Sequence, residues 1–170
     1  MSCLSWNCRG AGDPRTVREL EALVKANSPK IIFLAETRQR GARLGHLRWR
    51  LGLKNFVAVD SVGKSGGLAV FWHESVDVTL KRYSQRIMDL EVKLFQEAPT
   101  WRLTFVYGEP RVKDRKHMWE LFMRLKKLSN LPWLVMEDFN EAMWAFEHFS
   151  TTRKCEQEMA NFREALMFVS

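Results

Sequence analysis

The run Ile31-Ile32-Phe33-Leu34-Ala35-Glu36-Thr37 decides how this chain folds. Five apolar residues in a row, with no alternation, mark a strand buried on both faces. Upstream, Asp13-Pro14 opens a helix, because Asp at the N-cap and Pro at the first helical position are both favoured there. Val17, Leu20, Leu23 and Val24 recur at helical spacing to about Asn27, and Ser28-Pro29 stops the helix. Further upstream, Cys3 to Trp6 is a short apolar run ending at Asn7 and the turn Arg9-Gly10-Ala11-Gly12. The resulting strand–helix–strand unit is expected to be parallel and right-handed.

Downstream the pattern changes. Phe56 to Val59, Gly67 to Trp72, Val76 to Tyr83, Ile87 to Phe95 and Trp101 to Tyr107 read as strands joined by short turns. Short connections mean antiparallel pairs. Asp89-Leu90-Glu91-Val92-Lys93-Leu94 alternates, so one face of that strand is expected to meet water. A helix is expected from about Val112 to Leu128, with Trp119, Phe122, Leu125 and Leu128 on one face. Leu131 to Met136 reads as another buried strand, and about Glu156 to Phe168 as a last helix. The whole is an α/β domain with mixed sheets. No repeat, low-complexity segment or linker divides residues 1–170, so a single domain is expected.

Composition narrows the class. With 46% hydrophobic and 28% charged residues, the 170-residue chain is ordinary globular material and not a disordered one. A net charge of +7 and a pI near 9.6 suggest a polyanionic partner such as nucleic acid. Nothing in the sequence approaches the apolar length of a membrane helix or a signal peptide. Cys3, Cys8 and Cys155 are odd in number and at no metal-ligand spacing, which fits a reduced intracellular compartment without structural zinc. The charge is uneven. Thr37 to Lys54 holds six basic residues and no acid, whereas Met136 to Ser170 holds seven acids and three bases. Two surfaces with different roles are expected.

Each apolar strand ends on a polar residue: Asn7, Glu36, Tyr107, and the segment Glu137-Asp138-Phe139-Asn140. Singly, any of these is an ordinary turn residue or helix cap. Ligands in α/β folds gather outside the carboxyl ends of strands, so strands running the same way would bring Asn7, Glu36, Tyr107, Asp138 and Asn140 to one rim. That set suits a hard divalent cation such as magnesium, which takes one or two carboxylates and leaves its other positions to water and phosphate. A second carboxylate can orient an attacking water, and amide and phenol groups can hold a phosphoryl oxygen. Metal-assisted phosphodiester hydrolysis needs little more.

Leu4-Ser5-Trp6-Asn7-Cys8-Arg9-Gly10, Phe33-Leu34-Ala35-Glu36-Thr37, Gly66-Gly67-Leu68-Ala69-Val70, Phe105-Val106-Tyr107-Gly108 and Met136-Glu137-Asp138-Phe139-Asn140 occur in the order of the endonuclease/exonuclease/phosphatase superfamily. The chain most resembles the endonuclease domain of plant non-LTR (LINE-type) retrotransposons, from about Ser2 to Phe168. The resemblance implies a DNase I-like sandwich of two sheets flanked by helices, and cleavage of nucleic acid, DNA above all, with magnesium or manganese. Glu36 would bind the metal, and Asn7 would help hold metal or phosphate. Tyr107 would contact the scissile phosphate, Asp138 would orient or deprotonate the water, and Asn140 would support the transition state. Action on DNA would place the protein in the nucleus.

Two departures stand out. The family writes Gly-Asp-Phe-Asn where Glu137 precedes Asp138 here, which adds bulk and negative charge unless the side chain points into solvent. The family also continues into further strands and a closing Ser-Asp-His motif, which this sequence lacks, so an incomplete second sheet with an exposed edge is expected. Arg38, Arg40, Arg43, Arg48 and Arg50, with Trp49 among them, follow Glu36 and could grip a nucleic-acid backbone, with Trp49 stacking on a base. The alternative is a solvated helix face with a buried Trp. Gly63-Lys64-Ser65 lacks the earlier glycine of a phosphate loop and reads as a hairpin turn. Three functions remain open: a metal-dependent endonuclease, a catalytically dead remnant that binds nucleic acid through residues 38–54, and a phosphatase on a small or lipid phosphate.

Overall fold

The computed structural model describes residues 1–109, 111, 115–138, 142–147 and 155–169. They form two compact units. The first comprises Met1–Val106 and Pro132–Glu137, and the second Tyr107–Leu131 and Asp138–Ser170.

The first unit is a pair of four-stranded sheets. One has β1 (Cys3–Asn7), β2 (Ile31–Ala35), β4 (Leu68–Trp72) and β3 (Asn55–Val59) side by side in that order. β1 and β2 are parallel, with Asn7 opposite Ala35, and the crossover is helix α1 (Pro14–Asn27). The N-cap carboxylate of Asp13 accepts from the Arg15 N–H at 2.8 Å, and Val17 and Leu20 are buried. Ser28, at φ +45°, ends the helix with its N–H on the Val24 carbonyl. All five residues of β2 are buried, for a visible reason. Ile32 and Leu34 join Ala69, Phe71 and α1 in one cluster, while Phe33 points the other way and stacks on Phe105 with ring centroids 4.7 Å apart. A strand with a core on each side has no polar face to offer.

The second sheet runs β5 (Asp77–Tyr83), β6 (Ile87–Lys93), β7 (Trp101–Tyr107), β8 (Trp133–Asp138). β5, β6 and β7 pair antiparallel. The Arg102 N–H donates to the Pro132 carbonyl and the Gly108 N–H to the Asp138 carbonyl, so β7 and β8 advance together, as parallel strands do. β4 and β5 follow each other in sequence but lie in different sheets, so the expected meander breaks there.

Burial in β6 and β8 also departs from the sequence expectation. Asp89 does not meet water: it is 1% exposed. Arg102 clamps both its oxygens, at 2.7 and 2.9 Å, the Thr104 hydroxyl donates to it at 2.6 Å, and Arg82 adds a contact at 3.2 Å. The Trp133 indole N–H donates to the Thr104 oxygen, and the Arg102 guanidinium lies 4.5 Å from the Trp133 ring centroid. The alternation was real, but its polar face is closed at Asp89 over a charge network, while Glu91 and Lys93 stay partly exposed. β8 is likewise not a buried strand, since Leu134 is 45% exposed.

In the second unit, α4 (Lys116–Lys126) and α5 (Glu156–Val169) pack through Met118, Phe122, Leu125, Met159 and Phe162. Trp119 stacks on Phe162 at 5.1 Å. Leu128, expected on this apolar face, falls beyond the helix and is exposed. No helix among the described residues is long and apolar enough to cross a membrane.

Candidate functional site

In the first unit, parallel pairing sets the ends of β1 and β2 beside each other, and with them Asn7 and Glu36. The Asn7 amide Nδ2 donates to Glu36 Oε1 at 3.0 Å, and Arg38 Nη2 donates to Glu36 Oε2, also at 3.0 Å. The Glu36 side chain is largely buried, at 17% exposure.

The backbone here is strained and pinned. Glu36 and Arg38 both take φ +52°, a left-handed conformation that costs a non-glycine residue about 1–3 kcal/mol. Between them Thr37 is fully buried. Its N–H donates to the Gly67 carbonyl, its carbonyl accepts from Ala11, and the Arg38 N–H donates to the Gly66 carbonyl. The Thr37 hydroxyl oxygen has no hydrogen-bond partner among the described residues. It lies against Gly67, at φ +85°, where a Cβ would overlap it and come within 3.3 Å of the Ser61 nitrogen. Gly67→Ala is therefore expected to cost about 1–3 kcal/mol, from the positive φ together with the clash. Urea unfolding checks this, and an unchanged midpoint would mean the segment is not held as described.

Beneath Glu36, burial pushes the Cys8 thiol above its ordinary pKa, with the nearby Glu36 charge adding to the rise. Cys8 stays a thiol at neutral pH and donates to the Ala35 carbonyl at 3.2 Å. It supports the strand end and is not a nucleophile.

The donor chemistry of this pair fits a hard cation. A side-chain amide turned about its last bond exchanges N–H for oxygen, so Asn7 beside Glu36 offers either a donor to the carboxylate or a second oxygen ligand. No group of three His, Cys, Asp or Glu among the described residues could enclose a metal. Magnesium does not require such a cage, because it keeps waters and takes substrate oxygens.

In the second unit, Tyr107 and Asp138 stand at the carboxyl ends of β7 and β8, joined through the Gly108–Asp138 backbone bond of 3.1 Å. Tyr107 is 9% exposed, whereas Asp138 is open to solvent. Asn140 lies outside the described residues.

The basic segment is held to the first unit by Leu44, Leu47, Leu51 and Leu53, all buried, on and after the short helices α2 (Gly41–Leu44) and α3 (Leu47–Arg50). Trp49 is 62% exposed, which excludes the buried-Trp alternative. The Arg48 guanidinium lies 4.7 Å from the Trp49 centroid. The absence of acids from the segment did not leave it uncompensated. Glu21 pairs with Arg50 at 2.8 Å, Glu74 with Lys54 at 2.5 Å, and Glu36 with Arg38. Arg40 and Arg43 make no ion pair among the described residues. They line a cavity of about 490 Å³ with Arg38, Gln39, Ser61 and Gly63. No motif marked Gln39, and the Ser61–Gly67 stretch read only as a hairpin turn, because its approach to residues 37–41 is not written in either segment.

No curated protein sequence matches the chain. Solved structures match its fold. An AP endonuclease, LMAP, from Leishmania major superposes with a TM-score of 0.72 at 14% identity, covering 97% of this chain and 65% of that one. An AP endonuclease from Archaeoglobus fulgidus gives 0.70 at 16% identity, with coverages of 96% and 69%. The endonuclease domain of TRAS1, a telomere-specific non-LTR retrotransposon, gives 0.63 at 17% identity, again with 96% and 69%. The chain thus spans about two thirds of the length of these structures, and its two sheets with flanking helices are a DNase I-like sandwich. Residues 4–154 match the model of the endonuclease/exonuclease/phosphatase family, and the chain belongs to that family.

Proposed function

We propose that the protein is a divalent-metal-dependent phosphodiesterase acting on nucleic acid, DNA in the first instance, and derived from a retrotransposon endonuclease. The observation that carries this reading is the Glu36 carboxylate, held 3.0 Å from the Asn7 amide at the ends of two parallel strands by a strained segment pinned through its backbone. Strain of that kind collects at functional sites.

Glu36 and Asn7 would hold magnesium or manganese, which when bound would supply positive charge to a phosphoryl oxygen. Asp138 accepts a proton from water as its oxygen bonds to phosphorus, and the ester oxygen leaves with its bonding electrons. The Tyr107 phenol donates to the scissile phosphate, and the Asn140 amide supports the charge that builds there. Action on DNA places the protein in the nucleus.

The test is nicking of supercoiled plasmid. Magnesium or manganese should support relaxation, EDTA should stop it, and Asp138→Ala should slow it about 10²–10⁴-fold. Nicking that survives EDTA or Asp138→Ala overturns the assignment. Salt-sensitive DNA binding with no nicking at all would make the chain a binding remnant.

A further inference from the structure

The cavity lined by Arg38, Gln39, Arg40, Arg43, Ser61 and Gly63 has a built frame. Its walls are two chain segments far apart in sequence and joined at four points. Thr37 N–H donates to the Gly67 carbonyl, Arg38 N–H to the Gly66 carbonyl, Ser61 N–H to the Gln39 carbonyl, and Gly41 N–H to Asp60 Oδ1 at 2.7 Å. The hairpin wall is closed further by mutual backbone bonds between Val62 and Ser65. These bonds hold the walls before any ligand arrives, and a preformed site loses little entropy on binding.

The electrostatics favour an anion. Three guanidinium groups line the space, and the pairs found elsewhere in the basic segment leave Arg40 and Arg43 out. Asp60, which holds the frame, has one oxygen committed to the Gly41 N–H. Arg38 donates to Glu36 Oε2 and also lines the cavity, so it is common to the cavity and the Glu36 pair. Guanidinium groups match phosphate oxygens through paired N–H donors.

The size favours more than a free ion. A second cavity of about 550 Å³ shares Gln39 and Arg43 with the first. Its lining is different: Ala11, Pro14, Val17 and Ala42 are apolar, and His46 and the Glu21-paired Arg50 join them. A cationic space next to an apolar one suits a phosphate with a sugar and base attached.

We propose that these two cavities, which share Gln39 and Arg43 in their linings, form a phosphodiester seat apart from the cleavage centre, which takes a backbone phosphate of single-stranded nucleic acid between Arg40 and Arg43 and its nucleoside against Ala11, Pro14 and Val17. The seat rests on the nuclease reading for its substrate class. It grips the strand away from the bond to be cut, and Arg38 couples it to the Glu36 end of the site.

The experiment measures binding, not cleavage. A short fluorescent oligothymidylate is titrated with the full chain in EDTA over a range of sodium chloride concentrations, so no turnover takes place. Each lost phosphate contact on a single strand lowers the log–log salt slope by about 0.7, and the seat holds one phosphate, so Arg40→Gln with Arg43→Gln should lower it by about 0.7 and weaken binding about fourfold near physiological salt. Arg40→Lys with Arg43→Lys keeps the charge and should recover most of the slope. Arg18→Gln with Lys25→Gln, an equal charge change on exposed positions of α1, should leave the slope unchanged. An unchanged slope in the Arg40/Arg43 variant, or an equal fall in the α1 variant, overturns the proposal. So does inorganic phosphate that displaces the oligonucleotide at equal molar concentration, because the site would then hold a free anion. A lost slope without plasmid nicking by the parent chain would keep the seat and reject the nuclease; an unchanged slope with EDTA-sensitive nicking would do the reverse.

Discussion

Asp89→Ala will destabilise the fold by about 3–5 kcal/mol, out of a total that for a domain of this kind is about 5–15 kcal/mol. The reason is the charge left behind. Arg102 is 3% exposed and spends two donors on the Asp89 carboxylate. Thr104 loses its acceptor as well, and it is the residue that holds the Trp133 indole N–H. A buried cation without its partner keeps the whole desolvation penalty and loses the attraction that offset it. The denaturation midpoint in urea should fall while the slope stays the same, the sign of lost stability without a changed unfolded state. Asp89→Leu combined with Arg102→Met removes both charges and should recover most of the loss. A double variant no better than Asp89→Ala would show that the pair does more than neutralise itself.

Glu36→Ala is expected to lower activity as strongly as Asp138→Ala. The charge stabilisation that a cation held there would supply is worth several kcal/mol, or about 10²–10⁴-fold in nicking rate. The same substitution should abolish binding of manganese followed by its paramagnetic signal in the absence of DNA. That second measurement separates loss of the cation from loss of the DNA grip. The Glu36 carboxylate lies between Asn7 and Arg38 and is not part of the strand ladder, so the substitution should change stability far less than Asp89→Ala. Retained manganese binding with lost nicking would move the cation to other residues.

Much of this architecture could be read along the chain. The unbroken apolar run of β2 announced a strand with a core on each face, and Phe33 and Ile32 do point into different cores. Asp13-Pro14 and Ser28-Pro29 bracketed α1 because capping is local chemistry between neighbouring residues. Asn7 and Glu36 could be paired in advance for a similar reason: a parallel strand–helix–strand unit leaves the two strand ends side by side. Asp89 defeated the same kind of reading. Alternation tells which residues share a face, and only packing tells whether that face is wet.

The basic segment shows the other limit. Its five arginines look equivalent in sequence, yet Arg50 is paired with Glu21 and Arg38 with Glu36, and Arg48 stacks on Trp49. Arg40 and Arg43 differ from them only because no acid from a distant segment reaches them and because the 61–67 hairpin closes against their loop. Periodicity, capping and the polar ends of the strands are written in residues close together, so the sequence by itself determined the elements, their order and the Asn7–Glu36 pair. Charge compensation, burial of Asp89 and the arginine cavity depend on which remote side chains arrive at the same place, and only the tertiary structure decided those.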